Sequence, residues 1–217
     1  ERITSLTIVG NNIIDSDYRD TVYFYEDRYS VYGYTDQATG YVTSLTDLDK
    51  FIFLKELNIA YQDNLDLTGI DRCKNLEELS LINNGISNVE AIGRLTSLRK
   101  LCLAWNEISD ISPLSGLVNL TSLGLWGNRI RDISPVANLT NLEYLDFSDN
   151  MIEDISPVAG LTKLNALWMY NNRVSDIAAL TNLSNLSELM LRDNPLQNMD
   201  TLKSIYPRLT RLDVSPY

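Results

Sequence analysis

Apolar residues recur along the chain with a period of 22, best seen at Leu117 to Asn138, LVNLTSLGLWGNRIRDISPVAN. The unit repeats in register and without a gap from Phe51 to Ser204. Seven copies, beginning at Phe51, Cys73, Leu95, Leu117, Leu139, Leu161 and Leu183, fill 154 of the 217 residues. A fixed period of this size is the signature of a solenoid, in which each unit leaves an apolar face bare until its neighbours cover it. Within a unit, positions 4, 7 and 9 are apolar, as at Leu120, Leu123 and Leu125 or Leu142, Leu145 and Phe147. Side chains alternate along a strand, so with 7 and 9 inward, positions 6, 8 and 10 point outward. The chain returns to the same start in every unit, which makes successive strands parallel and leaves room for the crossover that parallel pairing needs. Parallel sheets buried on both faces read as continuous apolar runs; these strands alternate, which predicts one bare face.

Position 12 carries an amide throughout: Asn11, Asn84, Asn106, Asn128, Asn150, Asn172 and Asn194, with Gln62 the one departure. An amide repeated where the strand must turn can pair backbone groups of its own and the adjacent unit, so these residues read as a structural ladder rather than a site. Positions 16 to 20 then read DISPL, DISPV and DISPV from Asp110, Asp132 and Asp154. Serine followed by proline suits a helix start, with the hydroxyl capping and the ring in the first turn. Few residues remain in each unit, which predicts single 3₁₀ turns on the outer face. The last two copies, DIAAL and NMDTL, lose the proline.

Ahead of the array, residues 1–50 read as half a repeat interrupted by an insertion. Leu6, Ile8, Asn11 and Ile13 match positions 7, 9, 12 and 14, and the phase resumes at Leu45 and Leu48 after about 29 inserted residues. Within the insert, TVYFY (21–25) and YSVYGY (29–34) are β-branched and aromatic runs separated by Glu26, Asp27 and Arg28, which predicts a hairpin over about 18–43. A third short strand is placed at Tyr41 to Thr43. Seven of the twelve tyrosines lie in this insert, which is either a cap over the end of the coil or a binding wing beside the repeats. After the array, residues 205–217 hold a last strand at Leu209, Leu212 and Val214. The expectation is a fragment of a longer protein, with a C-terminal cap or further domain to follow.

Composition narrows the function more than it names it. A net charge of −11, from 29 acidic and 18 basic residues, argues against nucleic acid and anionic lipid, because no basic excess exists to displace counterions from phosphates. No apolar run approaches the ~18 residues of a transmembrane helix. Cys73 at position 1 and Cys102 at position 8 are placed on opposite sides of the coil, which disfavours a disulfide between them. Histidine is absent, which removes the commonest general base and any histidine-containing metal site, and no phosphate-cradling glycine loop or nucleophile elbow is present. No catalytic residue, cofactor or metal is therefore assigned. Asp146 with Asp149, or Asp15 with Asp17, read as solvated carboxylates rather than a calcium loop, and Cys102 as a thiol on the exposed strand face.

These residues resemble the bacterial leucine-rich repeats of the internalin type, whose units share the L..L..L.L..N.I.DISPL pattern at Leu95 to Gly116, Leu117 to Asn138 and Leu139 to Gly160. The N-terminal portion departs from the pattern, with no helical cap and the tyrosine-rich insert in its place. The resemblance implies an α/β leucine-rich repeat solenoid, a right-handed horseshoe with parallel strands on the concave side and 3₁₀ turns on the convex side. It also implies a bacterial protein that is secreted or displayed on the cell surface and binds a protein ligand through the concave side.

The outward positions 6, 8, 10 and 11 carry the candidate site. All three tryptophans, Trp105, Trp126 and Trp168, fall on them, with Tyr61, Tyr144, Tyr170 and Met190. None is needed for the core, and Trp and Tyr are the side chains most enriched at binding hot spots. The expectation is an aromatic protein-binding centre rimmed by Lys100, Arg129, Glu143, Arg173 and Arg192; the competing reading is that the rings merely cover one another. The chain is expected to be a monomer that does not insert in a membrane. Other readings are a passive spacer presenting another domain, a carbohydrate-binding adhesin, and a cytosolic regulator like the phosphatase-regulating proteins with repeats of the same length. Sequons at Asn119, Asn138, Asn182 and Asn185 read as by-products of the repeat consensus.

Overall fold

The structure is a computed structural model, and it describes residues 5–9, 23–24, 29–30, 45, 48, 53–197 and 199–215. Nine strands form one open parallel sheet. They are β1 (Ser5–Val9), β4 (Glu56–Ala60), β5 (Glu78–Ile82), β6 (Lys100–Cys102), β7 (Ser122–Gly124), β8 (Tyr144–Asp146), β9 (Ala166–Trp168), β10 (Glu188–Met190) and β11 (Arg211–Asp213). Between β1 and β4 in sequence, β2 (Tyr23–Phe24) and β3 (Tyr29–Ser30) pair antiparallel, the hairpin expected of the insert. The strand expected at 41–43, and Asn11, Ile13, Asp15 and Asp17, lie outside the described residues. Leu6 pairs with Leu57 and Ile8 with Ile59, so the half-repeat before the insertion keeps the phase of the array after it.

Leucine, isoleucine and valine from positions 1, 4, 7, 9, 14, 17 and 20 stack into one continuous core. Leu98, Leu120, Leu142 and Leu164 are all fully buried in it, as is Phe147, which replaces a leucine. Burying each such side chain contributes about 1.5–3 kcal/mol, and because neighbours bury one another the array is stable only as a stack.

On the outer face the third to sixth repeats carry 3₁₀ turns at Ser112–Gly116, Ser134–Asn138, Ser156–Gly160 and Ala178–Asn182. Two expectations are corrected here. Serine does not cap these turns: the carboxylate before it does, accepting the Ser112, Ser134 and Ser156 amides at Asp110, Asp132 and Asp154 over 2.7–2.8 Å. Asp176 does the same for the Ala178 amide at 2.8 Å, so the turn survives the loss of the proline. In the seventh repeat the turn is an α-helix instead, α1 (Met199–Ile205), which buries Leu202 and Ile205.

The position-12 amides form the ladder the sequence implies. Asn128 Oδ1 accepts the Ile108 amide of the preceding repeat at 3.0 Å, and its Nδ2 donates to Leu103 O and Leu125 O, each at 2.9 Å. Asn106, Asn150 and Asn172 repeat the pattern, and Asn84 donates to Ile59 O at 2.9 Å. At Gln62 the backbone N–H donates to Asn84 Oδ1 at 3.0 Å, and its side-chain amide donates within its own repeat, to Ala60 O at 3.2 Å. Asn128→Ala is expected to strand the Ile108 N–H in the interior, while Leu103 O and Leu125 O keep their second donors, Asn106 and Asn150, and so to destabilise by about 1–3 kcal/mol. Asn194→Ala, at a half-buried rung, is expected to cost visibly less; equal losses in urea melts would contradict the ladder's role.

Candidate functional site

Position 11 is not an outward strand position. In every repeat it takes the left-handed conformation, with φ of 59° at Tyr61, 54° at Asn83, Trp105 and Asp149, 70° at Gly127, 53° at Asn171 and 59° at Asp193. Asn, Asp and Gly suit that region; a bulky side chain there costs roughly 1–2 kcal/mol. Trp105 occupies it nonetheless, and the residue is 52% exposed.

Two glycines make beds for the indoles. A methyl placed on Gly127 would lie 2.5 Å from Trp105 Cε3, and one on Gly124 would lie 2.5 Å from Trp126 Cζ3. Each ring therefore lies close against the glycine, where a side chain would have to displace it. Glycine weakens a strand, and its presence at an outward position marks a close approach; that was the available signal in the sequence, and it concerned Gly124 and Gly127 rather than the aromatics.

The remaining candidates divide in two. Tyr61, Trp126 and Tyr170 are half-buried, and Lys100, Arg129, Arg173 and Arg192 reach solvent. Tyr144, Trp168 and Met190, expected to be exposed, are 7%, 9% and 8% exposed. With Ala166 they form a second apolar cluster above the sheet, bordered by Tyr170, because the rings of Tyr144 and Trp168 meet edge to face with centroids 5.7 Å apart. A third cluster, Ala60, Ile82, Cys102 and Ala104, is partly covered by Tyr61 and Trp126. Cys102 is thus buried rather than displayed, and burial holds its thiol far above the usual range. Cys73 is buried too, packed in the main core.

The cations beside the face are matched to carboxylates: Lys100 to Glu78 at 3.1 Å, Arg129 to Glu107 at 3.3 Å, Arg173 to Glu153 at 3.6 Å and Arg192 to Asp193 at 3.2 Å. Arg192 also lies over the Tyr170 ring and Arg211 over the Trp168 ring, 5.6 and 5.4 Å from the centroids. Arg211 was not among the expected rim residues, because its contact is made through the last strand. Glu143 lies apart from these, at the opposite end of the strands beside Lys163 and Asn165.

Solved structures with this architecture include internalin C2 of Listeria monocytogenes, 34% identical with a TM-score of 0.74 over 82% of this chain and 77% of that one. A second internalin of the same organism, InlF, is 34% identical with a TM-score of 0.76 over 83% and 54%. A leucine-rich repeat protein of Leptospira interrogans is 28% identical with a TM-score of 0.73 over 81% and 47%, so the chain spans about half of these last two. The sequence family described as Leucine Rich repeats (2 copies) matches residues 74–116, 96–138 and 140–182. The chain belongs to the internalin-type leucine-rich repeat proteins. No curated protein sequence matches it. An internalin-type repeat array suggests a protein–protein interaction module. Among the described residues no three His, Cys, Asp or Glu side chains are grouped to hold a metal, and no helix is long and apolar enough to cross a membrane.

One residue of this internalin-type face differs most from its expectation. Asp146, read as a solvated carboxylate, is 4% exposed. Its Oδ1 accepts the Ser148 amide at 2.9 Å and its Oδ2 the Tyr144 hydroxyl at 3.2 Å. Burial pushes its carboxyl up to about 6, against the opposing effect of those hydrogen bonds and with a smaller push from Asp149. The native state therefore holds this proton up to about pH 6, whereas the unfolded chain releases it near pH 4, so Asp146 lowers stability progressively as pH rises between those values. Asp146→Asn is expected to gain roughly 2–3 kcal/mol relative to the native protein between pH 4 and pH 7.5. Urea melts at the two pH values measure it; a difference that does not change with pH would show that the carboxylate is not desolvated.

Proposed function

We propose that this chain recognises a protein partner through the concave face, with Trp105 and Trp126 at the centre, Tyr61 and Tyr170 flanking, and Lys100, Arg129, Arg173 and Arg192 at the rim. Tyr144, Trp168 and Met190 form the floor that holds Tyr170 in place. Trp105 is the observation that carries this reading. Its ring is largely exposed, its backbone occupies a conformation that an asparagine would hold at lower cost, and no core contact requires it. A large aromatic kept at the expense of stability and held against Gly127 is preorganised for a contact, which lowers the entropy lost on binding. The bacterial relatives support a bacterial protein, and their family supports secretion or display at the cell surface, with the chain acting as a monomer.

Trp105→Asn separates function from fold. At a left-handed position the substitution is expected to leave stability unchanged or raise it by about 1 kcal/mol, while loss of a hot spot weakens partner capture by ~2 kcal/mol or more. Trp126→Ala is expected to do the second without a large change in the first. The measurement is recovery of a cross-linked partner by native and substituted protein of matched thermal stability. Equal recovery would move the binding site off this face, with the tyrosine-rich insert over 18–43 next in line; no recovery by the native protein would favour the spacer reading.

A further inference from the structure

Position 11 makes the brim of the concave face, and from the first to the third repeat it carries a ring, an amide and a second ring: Tyr61, Asn83 and Trp105. Backbone pairing between repeats continues through them, the Tyr61 N–H reaching Ile82 O at 3.1 Å, the Asn83 N–H Ala104 O at 3.0 Å and the Trp105 N–H Trp126 O at 2.9 Å. Consecutive brim residues are therefore one strand spacing apart, ~4.8 Å, which sets the Tyr61 and Trp105 backbones about 10 Å apart. Between them the brim is notched, because Asn83 is short and Gly85 carries no side chain where the flanking repeats carry Asp63 and Glu107. Trp105 and Asn83 are exposed, and Tyr61 is half-buried. The Asn83 side-chain amide and the Trp105 indole N–H make no hydrogen bond among the described residues, so both remain available as donors. Asp63, exposed beside Tyr61, makes no ion pair among the described residues, whereas Glu107 is matched to Arg129 at 3.3 Å.

Two rings about 10 Å apart with hydrogen-bond donors between them select among the conformations of an incoming peptide. An α-helix uses its carbonyls internally and offers none to Asn83 or Trp105. A β-strand returns a side chain to the same face every ~6.6 Å, short of the distance between the rings. A polyproline II helix repeats every three residues at ~3.1 Å each, about 9.3 Å, and leaves every carbonyl unpaired. It is also ordered before it binds, so docking costs little entropy, and its proline rings pack on aromatic faces. We infer that the brim from Tyr61 to Trp105 docks a proline-rich segment of the protein partner in the polyproline II conformation, with a basic residue of that segment beside Asp63. One proline packs on each ring, and Asn83 and the Trp105 indole donate to carbonyls of the turn between them. The unmatched Asp63 carboxylate fixes the orientation by holding the basic residue at the Tyr61 end, and the chain's net charge of −11 favours a cationic segment. The inference rests on the concave-face reading above and names the chemistry of its partner.

The indole N–H signals of the isotope-labelled whole chain in NMR spectra read occupancy, and the signal lost in Trp105→Asn is that of Trp105. The probes are an acetylated arginine followed by a run of prolines, and the same peptide with every second proline replaced by glycine, which loses the preformed helix. The proline probe is expected to move the Trp105 signal saturably, and the glycine probe to bind at least about tenfold more weakly. Glutamate in place of the probe's arginine is expected to weaken binding about threefold, a difference that Asp63→Asn removes. Tyr61→Ala is expected to weaken the proline probe about tenfold. An equal response to the glycine probe, no saturable movement of the Trp105 signal, indifference to the probe's charge, or an affinity that ignores Tyr61→Ala overturns the docking. The comparison of probes uses native protein and stays decisive if a variant does not fold. If Trp105→Asn abolishes partner capture while the proline probe moves nothing, the proline docking alone fails. If the probe binds as described and partner capture ignores Trp105, the protein-binding reading of the face fails instead.

Discussion

A parallel sheet one repeat wide has nowhere to send the backbone groups at the end of each strand except into the neighbouring repeat. The position-12 amides resolve this. Each carbonyl oxygen takes an N–H of the repeat before, and each amide nitrogen returns hydrogen bonds to carbonyls of both repeats, inside a core from which water is excluded. The asparagine thus sets the direction in which the chain leaves the strand, and the left-handed residue before it follows from that turn. Leu, Ile and Val supply most of the stabilising energy, but they tolerate many arrangements; the amide ladder admits one register.

That constraint explains the concave face. Because the residue at position 11 must turn left-handed, whatever stands there is presented at the brim of the sheet and swung toward the next repeat. Where it is Trp105 the ring reaches Gly127, and where it is Asp149 the carboxylate reaches Asn171. Farther down the strands, positions 6 and 8 are close enough to those of adjacent repeats for Tyr144, Ala166, Trp168 and Met190 to bury one another. A face expected to be bare is therefore a second, thinner apolar layer with selected rings and charges standing out of it. Asp146 is desolvated by that layer rather than by the core, which is why a residue at an outward strand position behaves as a buried acid.

Much of the fold was legible in the chain because its period is imposed by geometry that every repeat shares. The spacing of leucines, the amide at position 12 and the DISP turns are local rules, and local rules survive being read one repeat at a time. The capping assignment failed for a related reason: Asp110 and Ser112 are both competent caps, and only the backbone course shows the carboxylate receiving the amide. Likewise Met199–Ile205 became an α-helix once the proline and the sharp DISP turn were gone.

The sequence by itself determined the solenoid, its parallel strands, its asparagine ladder and which strand positions turn away from the core, because periodicity encodes which side of the sheet each position occupies. Tertiary structure alone decided which of the residues turned away from the core see solvent. Trp105 stands out, Trp126 lies on Gly124, Trp168 goes under, and Cys102 and Asp146 are sealed. Exposure on a concave surface depends on the size of the side chains on the adjacent strands, about 22 residues away in the chain, and no local pattern carries that information.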